Sequence, residues 1–406
     1  MDIPALSVET RAVDHEIASL LPILDPRAPL LFIRRGDGVA GIGEALRLEF
    51  RGPDRIRDAA DAWRAVAAAA AVTDSVGLSG SGLVAFGAFA FADESEAVSV
   101  LIVPEVIVGR RDGVNWVTRV DGSELAVEKR PLGDEYRIAL HQGGLDGAGY
   151  QAAVGEAVRR IRAGELSKVV LARDLVGHLP EQADLRRVLG ELALGYPDTW
   201  TFAVDGLLGS SPETLVRVSH GTVSARVLAG SIGRGADAEA DHAAALALAT
   251  STKDLDEHRF AVQSVLASLS GHATGVVASE LPFALKLPNI WHLASDVEGT
   301  LSDGSSALDL AAALHPTAAV AGAPREAALG VIRDLEPIDR RRFAGPVGWV
   351  DAHGGGKWAI ALRSAEVARD GRITAYAGAG IVADSDPARE LAETRLKFRP
   401  IVEAFG

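Results

Sequence analysis

Apolar residues in this chain fall mostly into short continuous runs bounded by turn residues, the pattern of strands buried on both faces. In the first third, LLFIRR (30–35), LVAFGAFAF (83–91), VSVLIVPEVIVGRR (98–111) and VNWVTRV (114–120) predict strands, with one alanine-rich helix near 55–72 among them. The Gly-rich LHQGGLDGAGY (140–150) predicts a joint, and the helical spacing of apolar residues over 150–166 predicts a helix with Gly164 near its end. Strands are expected at 167–177, 199–209 and 222–230, a helix at 185–195, and a long helical stretch at 240–269 with a break near Thr250 and Ser251. Residues 348–382 predict three antiparallel strands with turns at HGGG and ARDG, and a last helix over 386–405 opens on Asp-Pro. Strands in runs separated by single helices predict an α+β layered protein with large antiparallel sheets, not a doubly wound parallel one. Residues 1–145 form its β-rich N-terminal half, and 146–406 carry all the candidate chemistry.

Composition narrows the function classes. Of 406 residues, 48% are hydrophobic and 24% charged, the profile of a soluble globular protein with a substantial core. The net charge of −14 repels nucleic acid and anionic membranes, so neither is an expected partner. It also repels any small anionic substrate, which would need a locally positive site. The chain has no cysteine, which excludes disulfides, a thiolate nucleophile and cysteine-ligated metals. The opening MDIPALSVETRAVDHE is acidic and lacks the basic start of a signal peptide, and the apolar stretch 65–78 is too short to span a bilayer, so a cytoplasmic protein is expected.

Two predicted helices carry carboxylates three residues apart, Asp254 with Glu257 and Glu390 with Glu393, so each pair shares a helix face. Both could be ordinary solvated faces. If the faces oppose, four like charges meet and a cation must sit between them. All-oxygen ligands would favour magnesium over zinc. Lys168 opens an apolar strand, where it could be a desolvated base or a lysine snorkelling at a strand end. Glu213 in GSSPETL could be a buried neutral acid or a helix-start carboxylate. GAG (378–380) and AGS (229–231) read as glycine turns at strand ends that could offer backbone N–H groups to a carboxylate. Arg363 reads as part of the apolar strand AIALRSA, where it needs an anionic partner, and His292 in NIWHLAS reads as a core histidine.

Taken together, SKVVLARD, GSSPETLVR, VLAGSIGRG, STKDLDEH, NIWHLASDVEG, LHPTAAVAGAPREAAL, DLEPIDRRRFAGPVGW, ALRSAEV, YAGAGIV and RELAETRLK follow the order of motifs in the chorismate-utilising enzymes. The resemblance covers about residues 150–400 and implies an anthranilate-synthase-like fold with Mg2+ as cofactor. It further implies Glu257 and Glu393 as direct metal ligands, with Asp254 and Glu390 close behind. Gly230 and Ser231 would help hold the ring carboxylate. Arg363, Gly378 and Gly380 would hold the enolpyruvyl carboxylate, with His292 at the same substrate site and Lys397 bordering the metal. Lys168 matches the general base and Glu213 the general acid.

Within the family, the ammonia-using branches typically carry Gln where this chain has Lys168, so the resemblance implies water as nucleophile and no obligatory glutaminase partner. HPTAAVAG, WHLASDVEG and FAGPVGW look more like isochorismate synthases than salicylate synthases, which tend to have a tyrosine where Phe343 stands. The expected activity is therefore Mg-dependent conversion of chorismate to isochorismate, feeding menaquinone or a siderophore. The salicylate and ammonia-using branches are the alternatives.

Overall fold

The strand Leu30–Arg34 shows why two sheets stack. Its Leu30 and Phe32 point one way and Leu31 and Ile33 the other, and all four are buried. Leu30 and Phe32 join Phe86, Ile102 and Trp349 in a layer between two sheets, while Leu31 and Ile33 pack under Leu185, Leu189, Leu192, Phe398 and Phe405 of two covering helices. The computed structural model describes residues 4–14 and 17–406. Among them, a 13-stranded and a 10-stranded sheet stack face to face, and eight α-helices lie outside them. These are α1 (Arg55–Ala69), α2 (Gly147–Arg162), α3 (Leu185–Gly195), α4 (Ala238–Thr250), α5 (Thr252–Leu269), α6 (Ala307–Leu314), α7 (Arg325–Leu335) and α8 (Pro387–Phe405). The α+β class with large antiparallel sheets is as expected; Ser7–Ala12 beside Ala71–Asp74 is a parallel pair.

Strands from both sides of residue 145 enter both sheets. The larger sheet places Lys168–His178 next to Arg372–Ile381, then Ser364–Val367, Leu207–Ser211, Trp200–Val204 and Leu30–Arg34. The smaller sheet runs Ile290–Leu301, Thr222–Gly233, Thr214–Ser219, Gly356–Ile360, Pro346–Asp351 and Val84–Ala88.

Three stretches hold more strands than the sequence suggests. VSVLIVPEVIVGRR becomes Ser99–Val103 in the smaller sheet and Val106–Arg111 in the larger, broken at Pro104, which has no N–H for a ladder. TWTFAVDGLLG is a hairpin of Trp200–Val204 and Leu207–Ser211, because Asp205 (φ 49°) and Gly206 (φ 80°) form a tight left-handed turn. The stretch 348–382 holds four strands instead of three, shared between the sheets. The helical break expected near Thr250 and Ser251 is present: Ser251 caps α5, its Oγ accepting from Asp254 N–H at 3.3 Å.

Candidate active site

Two chain crossings between the sheets build the site. Leu207–Ser211 in the larger sheet passes through Pro212 and Glu213 into Thr214–Ser219 of the smaller. Gly356–Ile360 of the smaller passes through residues 361–363 into Ser364–Val367 of the larger. The crossings run side by side: Ile360 N–H donates to Glu213 O (3.2 Å) and Ser210 N–H to Arg363 O (3.1 Å). Arg363 thus lies between strands, not inside one as the sequence suggested, and its φ of 49° is the kink that changes sheets. Both Glu213 and Arg363 are buried at this seam.

The glycine segments are not strand-end turns. Gly378 and Gly380 sit inside Arg372–Ile381, paired with Ala172 and Val170. Gly230 sits inside Thr222–Gly233 at a bulge, where register shifts between Leu228 and Ser231 and φ is +79°. What selects glycine is close approach. A Cβ on Gly380 would come 2.3 Å from Glu257 Oε1 and 3.1 Å from Lys168 Cε, and one on Gly230 would come 3.0 Å from Asp254 Cβ. Glycine marks turns and close contacts alike, and sequence alone does not separate them.

Lys168 is fully buried directly behind Gly380. Its Nζ is 3.1 Å from Glu257 Oε1, but the approach is not that of a hydrogen bond, and Nζ makes none among the described residues. The other carboxylates also meet lysines. Glu390 takes Lys253 Nζ at 2.9 Å; Glu393 takes Lys397 Nζ at 2.6 Å and Ser231 Oγ at 2.7 Å. Three lysines thus lie among the four carboxylates, cations that the sequence argument left out of account, so the opposed pairs do not by themselves require a metal. Burial and then repulsion from Glu393 raise the Glu390 pKa. Burial and then Glu257 raise that of Asp254, against the pull of the Ser251 hydrogen bond. Glu393 is held low, because Lys397 and the hydrogen bonds of Lys397 and Ser231 outweigh burial.

Among the described residues, no three acidic or histidine side chains form a ready metal cage. Magnesium is commonly held by one or two carboxylates, with water and substrate oxygens completing its shell. Glu257 and Glu393 both line the cleft and offer only oxygen, so the donor set fits that ion.

The cleft is also lined by Glu213, His292, Arg363 and Lys397. Burial pushes the Glu213 carboxyl up to about 8, against Leu228 N–H and the charges of Lys168, Arg363 and Lys397, so it holds its proton at neutral pH. His292 faces Arg363 Nη2 at 3.0 Å; burial and that guanidinium hold its pKa well below the ordinary value. The neutral ring thus accepts from Arg363. Burial lowers Arg363 to about 10, still protonated near neutrality, and no carboxylate pairs with it among the described residues. Lys397 Nζ also donates to Gly378 O at 2.9 Å. Arg363 is thus the cation of the cleft wall in this −14 chain that an anion could pair with.

Sequence reasoning placed no role on Lys253, Tyr376, Glu336 or Arg340. Tyr376 lines the cleft and stacks on Phe343 with ring centroids 5.3 Å apart. Lys253 adjoins Asp254 in STKDLDEH, and Glu336 and Arg340 stand four apart in EPIDR, a spacing that could have drawn notice.

A cleft with a buried protonated acid and a guanidinium in its wall, and a buried amine behind it, has the groups to receive a small carboxylated molecule and move protons on it. The chain belongs to the chorismate binding enzyme family, which matches residues 119–406. It is 41% identical over 269 residues to isochorismate synthase DhbC of Bacillus subtilis, covering 63% of this chain and 67% of that protein. It is 34% identical over 343 residues to a Mycobacterium tuberculosis protein assigned as isochorismate synthase MenF, covering 81% and 88% of the two chains. A crystal structure of a Bacillus anthracis protein assigned as a 2,3-dihydroxybenzoate-specific isochorismate synthase, DhbC, superposes with a TM-score of 0.79 at 31% identity, over 95% of this chain and 98% of that one.

Proposed function

We propose that this protein is an isochorismate synthase, converting chorismate to isochorismate with magnesium bound. The observation that carries the reading is Glu213, kept protonated by burial in the cleft wall, together with the fully buried amine of Lys168 behind Gly380 of the same wall. Similarity to proteins named isochorismate synthase supports it.

Arg363, steadied by His292, would receive the enolpyruvyl carboxylate, with Gly378 and Gly380 leaving room beside it. The Gly230 bulge and Ser231 would approach the ring carboxylate. Glu257 and Glu393, with Asp254 and Glu390 behind them, would hold the magnesium, which when bound supplies positive charge to that carboxylate. Lys168 takes a proton from a water that attacks the ring carbon next to the one bearing the carboxylate. The ring double bonds shift, and Glu213 gives its proton to the departing hydroxyl, which leaves as water. One water enters and one leaves, so substrate and product are isomers. Lys168 and Glu213 then exchange protons with solvent. No redox cofactor and no glutaminase partner is needed.

Phe343 is stacked flat on Tyr376, whose hydroxyl donates to Asp339 O at 3.1 Å, so neither ring offers a free hydrogen bond to draw the enolpyruvyl group into pyruvate loss. No helix among the described residues is long and apolar enough to cross a membrane; the proposed place of action is the cytoplasm. The test is time-resolved proton NMR of chorismate with enzyme, magnesium and an ammonium salt. Isochorismate as the sole early product, in a reaction that reaches equilibrium from either side, is expected. Early salicylate with pyruvate, or an aminated ring, would overturn the assignment.

A further inference from the structure

The strand Lys168–His178 carries the proposed base at its first residue, and one of its edges pairs with Arg372–Ile381 from Val169 to His178. The other edge is covered in patches. Gly322–Ala323 pairs only with Lys168 and Val169, and His141–Gln142 only with Leu175 and Val176. Between them the backbone of Val170 and Ala172 would be left without a ladder, at an expense of about 1–3 kcal/mol for each unsatisfied buried group.

A buried ion pair fills that gap. Glu336 and Arg340, both almost wholly buried, meet twice: Arg340 Nη2 to Glu336 Oε1 at 2.6 Å and Nε to Oε2 at 2.8 Å. The same groups then bind the strand. Arg340 Nη2 donates to Val170 O at 2.7 Å, and Ala172 N–H donates to Glu336 Oε1 at 2.7 Å. Val170 N–H goes to Ala321 O at 2.8 Å, and Arg340 Nη1 ties down that same loop through Val320 O at 2.9 Å. The guanidinium rests 4.4 Å from the Phe91 ring centroid. Arg340 lines both the active cleft and a second cavity.

We infer that Glu336 and Arg340 are positioning residues: their ion pair stands in for a missing β-strand and fixes the backbone that aims Lys168. The inference rests on the reading of Lys168 as base. A buried ion pair is weak evidence for stability, since apolar residues of similar volume often serve as well. What apolar residues could not do here is supply one acceptor and two donors, in fixed geometry, to Ala172, Val170 and Val320. Lys168 is two residues from Val170 and reaches the cleft only behind Gly380, so a small slide of this strand moves the amine off its line. Misplacement of a reacting group by about 1 Å can cost on the order of 10²-fold in rate.

The experiment compares Glu336→Gln, Glu336→Leu and Arg340→Lys with the parent enzyme, by kinetics on chorismate with saturating magnesium and by hydrogen exchange read by mass spectrometry. The pair variants should lose roughly 10–100-fold in kcat with KM changed by less than about threefold. Exchange should quicken in peptides spanning 168–174 while the remaining strands of the larger sheet stay protected. Glu336→Gln, which keeps an acceptor for Ala172 N–H, should retain more kcat than Glu336→Leu, and it carries the test if the others fail to fold. Parent-like kcat in folded Glu336→Gln and Arg340→Lys would overturn the inference, as would loss of protection spread evenly over the sheet. Lys168→Ala run in parallel separates the two readings. If Lys168→Ala is inactive while the pair variants turn over normally, positioning alone is wrong. If Lys168→Ala turns over normally, the base assignment falls and takes positioning with it.

Discussion

Lys168 Nζ and Glu257 Oε1 stand 3.1 Å apart at the wall of the cleft, close enough to neutralise each other yet not aligned as a hydrogen bond. The proposed base and a proposed metal ligand therefore share one charge balance. Lys168→Met should lower kcat by about 10²–10⁴-fold, the usual contribution of a general base. It should also destabilise the metal-free protein by about 3–5 kcal/mol, because Glu257 is left buried without its counter-ion. Adding Glu257→Gln should recover most of that stability and none of the activity. Urea unfolding in EDTA checks the first outcome and turnover with magnesium the second; additive losses in the double variant would show that the two residues are not coupled.

Glu213 predicts a pH dependence of both rate and stability. Its carboxyl, pushed up to about 8, is protonated in the folded protein at pH values where the unfolded chain has already released the proton. Between the ordinary carboxylate range and about 8 the folded state thus binds the extra proton, and stability contributed by this group is present at low pH and lost as pH rises. Glu213→Gln should flatten the fall in melting temperature between about pH 5 and pH 8 while reducing turnover by at least about 10²-fold. In the parent enzyme, kcat should decline above about pH 8 as the acid loses its proton. An unchanged melting profile in Glu213→Gln would remove the claim that this acid is held neutral.

The residues of the site were easier to find in the sequence than its architecture. Spacing and an apolar run only draw attention to Glu257, Glu393 and Lys168, and the family resemblance is what gives them roles; each faces the cleft or lies directly behind its wall. The crossings at Pro212–Glu213 and 361–363 were hidden, because a strand that changes sheets keeps its apolar run while its partners change. The role of Gly380 depends on Glu257, a residue on another element far away in the chain, and no local window contains both. The lysine counter-ions were missed for a related reason. Lys253 meets Glu390 across two helices, a contact that only tertiary packing creates.

Arg363 is a buried cation whose hydrogen-bond partner is the neutral ring of His292. An unpaired buried charge costs stability and pulls in an anion. Arg363→Gln should therefore leave the unliganded protein as stable as the parent or more so, while weakening chorismate binding by about 2–5 kcal/mol, at least a thirtyfold rise in Kd. Thermal shift without and with chorismate measures both. A variant that is less stable unliganded and binds normally would show that the arginine serves the fold.

Magnesium should act through Glu257 and Glu393. Exhaustive EDTA treatment should abolish turnover, and added magnesium should restore it. Glu257→Gln and Glu393→Gln should each need at least about tenfold more magnesium for half-maximal activity, given the few protein ligands this ion takes. Independently of turnover, isothermal titration of the parent with magnesium and a non-reacting chorismate analogue should show binding that each variant weakens. Full activity in EDTA would remove the metal from the mechanism.

Gly378 and Gly380 lie on one strand two residues apart, and they should fail in different ways. A methyl at Gly378 would meet the backbone carbonyl of Leu171 at 2.7 Å, and strand backbone cannot move aside without breaking the ladder. A methyl at Gly380 would meet the carboxylate end of Glu257 at 2.3 Å, and a side-chain tip can swing away. Gly378→Ala should thus lower stability by about 1–3 kcal/mol, the usual range for overpacking. Gly380→Ala should unfold at nearly the parent temperature yet lose roughly 10²-fold or more in kcat, because Glu257 is displaced and Lys168 crowded. Melting temperature and kcat measured on both variants decide the matter. If Gly380→Ala instead unfolds early and, when folded, turns over normally, the close approach of Gly380 to Glu257 and Lys168 serves packing and not chemistry.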